Sequence, residues 1–144
     1  MKPMGHGKNL LKYVVDVLYD SEKGLAELGR CMRDAQFATF FKHESGARGA
    51  YARRLEMTAS LLDAVTEENS ARHYWEFMAV DTDDSDETLL AIARQGEEVA
   101  TKVYHNALAE RSLAPAVRRL LEKQQSHIEI CGRLVGSFRA LKAA

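Results

Sequence analysis

Apolar residues return every three or four positions along most of this chain. One stripe runs Leu11, Val15, Leu18, Leu25, Met32. A second runs Phe37, Phe41, Tyr51, Leu55, Leu62, and a third Leu90, Ala93, Ala100, Tyr104, Ala107. That period marks helices that bury one face. The first stripe predicts a helix from about Asn9 to Met32, behind a flexible N-terminal tail (residues 1–8) containing Pro3, Gly5 and Gly7. Arg33-Asp34 reads as a turn, and the Asp34 carboxylate suits the free N–H groups that open the next helix. The second helix is expected from Ala35 to Val65, roughly 45 Å at 1.5 Å per residue. Gly46 and Gly49 weaken it locally without breaking the period. Between Thr66 and Asp86 the pattern fails: Asn69-Ser70 and the acidic run Asp81–Asp84 are loop-like. Between them, Ala71–Val80 carries Tyr74, Trp75, Phe77 and Met78 and reads as a short helix or turn tucked against the rest. A third helix is expected after a cap at Asp84 or Ser85, with Glu87 in its first turn, ending near Glu110. Ser112 is the expected cap of a fourth, which tolerates Pro115 in its first turn and runs to about Leu141. No segment alternates with the period of a strand.

The connections suggest the topology. Short turns join helix one to two and helix three to four, which predicts two antiparallel hairpins. The link of roughly twenty residues between the hairpins is long enough to cross a bundle, as in the ferritin-type arrangement. The expected fold is therefore all-α, a ferritin-like four-helix bundle with one long crossover, forming a single domain over residues 9–142. A weak internal repeat agrees. With Glu22 laid on Glu97 and about five extra residues allowed in the second turn, Phe40-Phe41 meet Leu120-Leu121, Glu44 meets Gln124, and Ala47 meets His127.

Bulk properties narrow the function classes. With 144 residues, 46% hydrophobic and 28% charged, the chain holds one ordinary core. A net charge of −1 with mixed signs gives no footprint for nucleic acid or anionic membrane. There is neither an apolar leader nor an 18-residue apolar run, so a cytoplasmic protein without a membrane span is expected. Cys31 and Cys131 are far apart in sequence and read as reduced, partly buried thiols.

The chemistry sits inside the stripes. Glu22, Glu44 and Glu97 take seam positions where an apolar residue is expected. Burying a carboxylate costs several kcal/mol unless it is compensated. One compensation is metal. Ferritin-like carboxylate sites take one Glu from each of two helices and a Glu-x-x-His pair from each of the other two. Here Glu22 and Glu97 fill the single-Glu positions, and Glu44 starts a pair whose i+3 residue is Ala47. The fourth helix reads Gln124-Gln125-Ser126-His127, with Gln where a carboxylate belongs. The candidate metal ligands are therefore Glu22, Glu44, Glu97, His127 and Gln124, and iron or manganese are the ions such donors suit. The other compensation is protein. Arg48 lies four residues after Glu44, and Arg94 three before Glu97. Glu22 has no cation at such spacing. Gln124 can hydrogen-bond a carboxylate in either case. His43, Glu122 and Glu129 read as surface residues, His73 and Trp75 as part of an aromatic lid, and Tyr51 and Tyr104 as core aromatics.

Tyr19–Gly24, Phe41–Arg48 and Gln95–Tyr104, with the aromatic crossover around Trp75 and Leu121–Gln125, resemble a family of small bacterial ferritin-like proteins of unknown function, related to rubrerythrins and bacterioferritins. The resemblance spans about residues 9–141. It implies a four-helix bundle, commonly a homodimer, and no agreed activity. Where members of the group often carry a late His in helix four, this chain has Gly132, with His127 one turn earlier. Two readings stand. One is a ferritin-like bundle with a degenerate carboxylate/His site, iron-binding or stress-related, and more a binder than a di-iron oxidoreductase. The other is a metal-free dimeric helical protein that acts through a surface or protein partner.

Overall fold

The structure, a computed structural model, describes residues 3–61, 80 and 82–143. The described residues form four helices: α1 (Pro3–Cys31), α2 (Ala35–Leu61), α3 (Asp86–Leu108) and α4 (Pro115–Ala143). No strand occurs among them. The expected short helix at 71–80, with His73 and Trp75, lies outside the described residues except for Val80. α1 begins at Pro3 rather than near Asn9.

Local chemistry sets most helix ends as the residue types require. Asp34 Oδ1 accepts from the backbone N–H groups of Gln36 and Phe37 at 2.9 and 3.1 Å, so it caps α2. Ser85 caps α3 by accepting from Thr88 N at 3.1 Å, and Asp86 and Glu87 follow in the first turn, where the helix dipole favours negative charge. The expected cap at Ser112 is not used. α4 starts at Pro115, and Ala114 is the residue whose carbonyl accepts the first helical bond, from Arg118 N at 3.0 Å. The fixed φ of Pro115 selects the start of the helix there.

α1 packs against α2 and α3, and α4 packs against α3 and α2. Asp86 pins one end of this arrangement. Its carboxylate accepts from Arg33 N at 2.8 Å and Asp34 N at 2.9 Å, so the start of α3 ties off the α1–α2 turn. Two apolar clusters fill the interior. One joins Leu11, Val14, Val15 and Leu18 to Ala52, Leu55, Tyr104, Leu121 and Ile128. The other joins Leu25, Leu28 and Met32 to Phe37, Phe41, Leu89, Leu90 and Val135. Phe37 stacks on Phe138 with ring centroids 4.4 Å apart. On every helix the residues between these stretches are the polar ones: Glu22 on α1, Glu44 and Arg48 on α2, Glu97 on α3, Cys131 on α4. A polar layer thus divides the core. No described helix is long and apolar enough to cross a membrane.

α1 and α2 touch closely at Gly29. A Cβ there would lie 2.7 Å from Lys42 Cγ and 3.2 Å from the Ala38 carbonyl oxygen, whereas one at exposed Gly46 meets nothing within 4 Å. Gly29→Ala should lower stability, because overpacking of about 1–3 kcal/mol outweighs a helix-propensity gain of about 1 kcal/mol. Gly46→Ala should raise it by about 0.5–1 kcal/mol. Thermal melts of the two variants should move in opposite directions, and a shared direction would contradict the close approach at Gly29.

Candidate functional site

The centre of the polar layer is Arg48, whose side chain has no exposed surface. It lies on the α2 seam in register with Phe41, Glu44, Tyr51 and Leu55. Its Nη2 donates to Glu97 Oε2 at 2.6 Å and stands 3.5 Å from Glu44 Oε2. Burial alone would favour the neutral guanidine, yet the Glu97 and Glu44 carboxylates hold the group firmly protonated. The pairing is incomplete. Arg48 Nε and Nη1 and Glu97 Oε1 are buried with no hydrogen-bond partner among the described residues.

On its other side Glu44 meets α4. His127 Nε2 lies 2.9 Å from Glu44 Oε1 and 3.2 Å from Oε2, and 3.4 Å from Cys131 Sγ. His127 and Cys131 are four residues apart, so one helix face presents both. Glu44 and Cys131 are buried, while the His127 side chain is 39% exposed and gives the cluster a way to solvent. The Tyr51 ring meets His127 edge-on, with centroids 5.6 Å apart. Burial, then the neighbouring Glu44 carboxylate, pushes the Cys131 thiol well above its ordinary pKa. Among the described residues, Glu44, His127 and Cys131 are the group whose His, Cys and carboxylate donor atoms all lie within 4.8 Å of one another.

The five residues expected from sequence are therefore divided. Glu44 and His127 come together. Glu97 is buried but engaged with Arg48, not with Arg94, whose Nη1 donates to the Gly132 carbonyl at 2.8 Å. Gln124 is buried, but its amide serves the aromatics: its Oε1 accepts from the Tyr104 hydroxyl at 2.7 Å, and its Nε2 donates to the Tyr51 carbonyl at 3.4 Å. Burial likewise raises the Tyr104 pKa. Glu22 corrects the expectation of a buried seam carboxylate. It is only half-buried, and its carboxylate lies over Gly49, where a Cβ would fall 2.0 Å from Oε2. The absence of a side chain at Gly49 lets Glu22 lie along α2 toward the rim. Arg48 holds Glu97 in an ion pair, and Glu22 stands outside the three-donor cluster.

His43, Glu122 and Glu129 are exposed, as their register suggests. Glu97 also borders a groove of about 470 Å³ between α3 and α4, with Arg94, Glu98, Lys102, Glu129 and Arg133 around it. Those charges are mixed in sign and favour no ligand class. Cys131 is the participant that spacing did not single out. Its signal was its place on the seam Leu121, Gln124, Ile128, Cys131, Val135, one turn beyond His127. Cys31 and Cys131 are both free thiols and buried, as cysteine usage suggested. No protein-family model matches the chain, and a search of the curated proteins finds no match.

A buried ion pair that is only partly hydrogen-bonded contributes little net stability, but removing one member strands the other. Arg48→Met should therefore cost about 3–5 kcal/mol in denaturant unfolding, and adding Glu97→Leu should restore most or all of it. A double variant as unstable as Arg48→Met alone would show that the pair is not the source of the loss.

Proposed function

We propose that this chain is a ferritin-like bundle that binds a single divalent transition-metal ion at the edge of its polar layer. The observation that carries the reading is the approach of Glu44 from α2 to His127 from α4 at 2.9 Å, in a half-open position that solvent and ions can reach. A carboxylate and an imidazole on different helices are the donors of bundle metal sites.

The ferritin-like topology is part of the proposal and has support from the order of contacts. Ser45 on α2 donates to the Glu22 carbonyl on α1, while Lys42 meets Gly29 and Glu56 meets Tyr19, so the partners step in opposite directions along the two helices. On the second hairpin, Arg94 reaches Gly132, Tyr104 reaches Gln124 and Arg118 reaches the Leu108 carbonyl, again in opposite order. The start of α3 sits at the α1–α2 turn through Asp86, at the far end of α2 from Leu61. A homodimer, implied by the resemblance, has an apolar surface open to it in Ile130 and Leu134, both exposed and one turn apart on α4.

A metal-free bundle is the second reading, and one observation favours it: Arg48 already supplies a positive charge to Glu97 and Glu44. Metal analysis separates the two. Protein purified without chelator, or reloaded and desalted, should hold about one equivalent of a first-row divalent ion per chain. That metal should be lost in Glu44→Ala and His127→Ala and kept in Glu22→Ala, with circular dichroism confirming helix content. Less than about a tenth of an equivalent in the parent leaves the metal-free reading standing. Loss in Glu22→Ala would restore a wider ligand set.

A further inference from the structure

We infer that Cys131 is a thiolate ligand completing a mononuclear oxygen, nitrogen and sulfur site with Glu44 and His127, a site of zinc character with its fourth position open to water. The inference rests on the metal-binding reading above and narrows it to a class of ion.

The donor separations to His127 are close to those around a tetrahedral ion. Nitrogen at about 2.0 Å and sulfur at about 2.3 Å from a tetrahedral centre stand about 3.5 Å apart, and nitrogen and carboxylate oxygen about 3.3 Å apart. Here Cys131 Sγ lies 3.4 Å from His127 Nε2, and the Glu44 oxygens lie 2.9 and 3.2 Å from the same nitrogen. The three donor atoms all lie within 4.8 Å of one another, so an ion among them would draw in groups that are already close. The side chains are also held. His127 and Cys131 share a face of α4, Glu44 is fixed from its other side by Arg48 Nη2, and Tyr51 abuts the imidazole edge-on.

Charge balance points to one divalent ion. Arg48 and Glu97 cancel each other at 2.6 Å. What remains is the Glu44 carboxylate and, once its proton has passed to water, the Cys131 thiolate. Two negative charges and a neutral imidazole match a single divalent cation, and binding releases the thiol proton. The fixed guanidinium next to Glu44 opposes a second cation, so the site stays mononuclear. A thiolate in the donor set turns preference away from manganese and other hard, oxygen-loving ions toward zinc and its spectroscopic substitute cobalt. The exposed flank of His127 leaves room for water in the fourth position, the arrangement of zinc sites that keep one coordination place open.

Cobalt(II) titration of the full chain tests this. The parent should develop a near-ultraviolet thiolate-to-cobalt charge-transfer band and intense visible bands of four-coordinate cobalt, saturating at about one equivalent. Cys31→Ser should keep them. Cys131→Ser should lose the charge-transfer band and weaken binding by more than the 10- to 100-fold typical of groups outside the coordination sphere. If Cys131→Ser does not fold, alkylation kinetics in the Cys31→Ser background serve instead: one equivalent of zinc should slow modification of the remaining thiol at least about tenfold. Cobalt bound with weak six-coordinate bands, or with a charge-transfer band that survives Cys131→Ser, overturns thiolate ligation and leaves metal binding intact. Unchanged alkylation with zinc shown to be bound does the same. No binding of cobalt or zinc overturns both.

Discussion

A guanidinium with no exposed surface dictates much of what this bundle can be. Arg48 cannot be deprotonated in practice, so its charge must be answered inside the core. Glu97 answers it at 2.6 Å and Glu44 contributes from 3.5 Å. These contacts draw α2 and α3 together across the polar layer that separates the two apolar clusters. The arrangement also withdraws Glu97 from any other duty. An ion that needed both Glu44 and Glu97 would have to displace a fixed positive charge from a site of low dielectric, where opposing charges act most strongly. The bundle is therefore committed on one side of Glu44 and available on the other.

The available side has a different chemical character. Toward α4, Glu44 faces an imidazole that reaches solvent and a thiol that does not. Hydrogen bonding among the three satisfies the carboxylate as it stands, so the cluster is stable protein chemistry without an ion. The same three donor atoms lie within 4.8 Å of one another. A site of this kind tolerates emptiness, unlike a ring of carboxylates that would repel one another without metal. The Arg48–Glu97 pair makes this possible by leaving Glu44 with only a longer, 3.5 Å contact to the guanidinium.

The helices were legible because their signals are local and periodic: seam spacing, Asp34 ahead of α2, and Ser85 ahead of α3. Ser112 misled because Pro115 overrode a good capping residue with a fixed backbone angle. Within the site, legibility followed how far each residue's role depends on other helices. Glu44 and His127 stood out by type and spacing. Arg48 was recognised as a partner for Glu44, but its seam register with Phe41, Tyr51 and Leu55 also carried the stronger message that the charge itself is buried. Glu22 had the register of a core residue. Its half-exposure comes from Gly49 on the facing helix, which gives the carboxylate a flat surface to lie on. Asp86 had no readable role beyond the first turn of α3, because its partners are backbone groups far away in sequence.

The two hairpins place different residues in the polar layer. The offset that pairs Glu44 with Gln124 and Ala47 with His127 also pairs Arg48 with Ile128 and Tyr51 with Cys131. Arg48 and Ile128 are both fully buried, so equivalent core positions in the two hairpins hold a cation and an alkyl chain. The hairpin with the cation needs the extra carboxylates, and Glu44 and Glu97 converge on it. The hairpin with Ile128 has no such charge to answer, so its carboxylate position can become Gln124, a neutral amide that hydrogen-bonds Tyr104. A buried cation on α2 and a buried alkyl chain on α4 leave Glu44 held by Arg48 on one side and by His127 on the other.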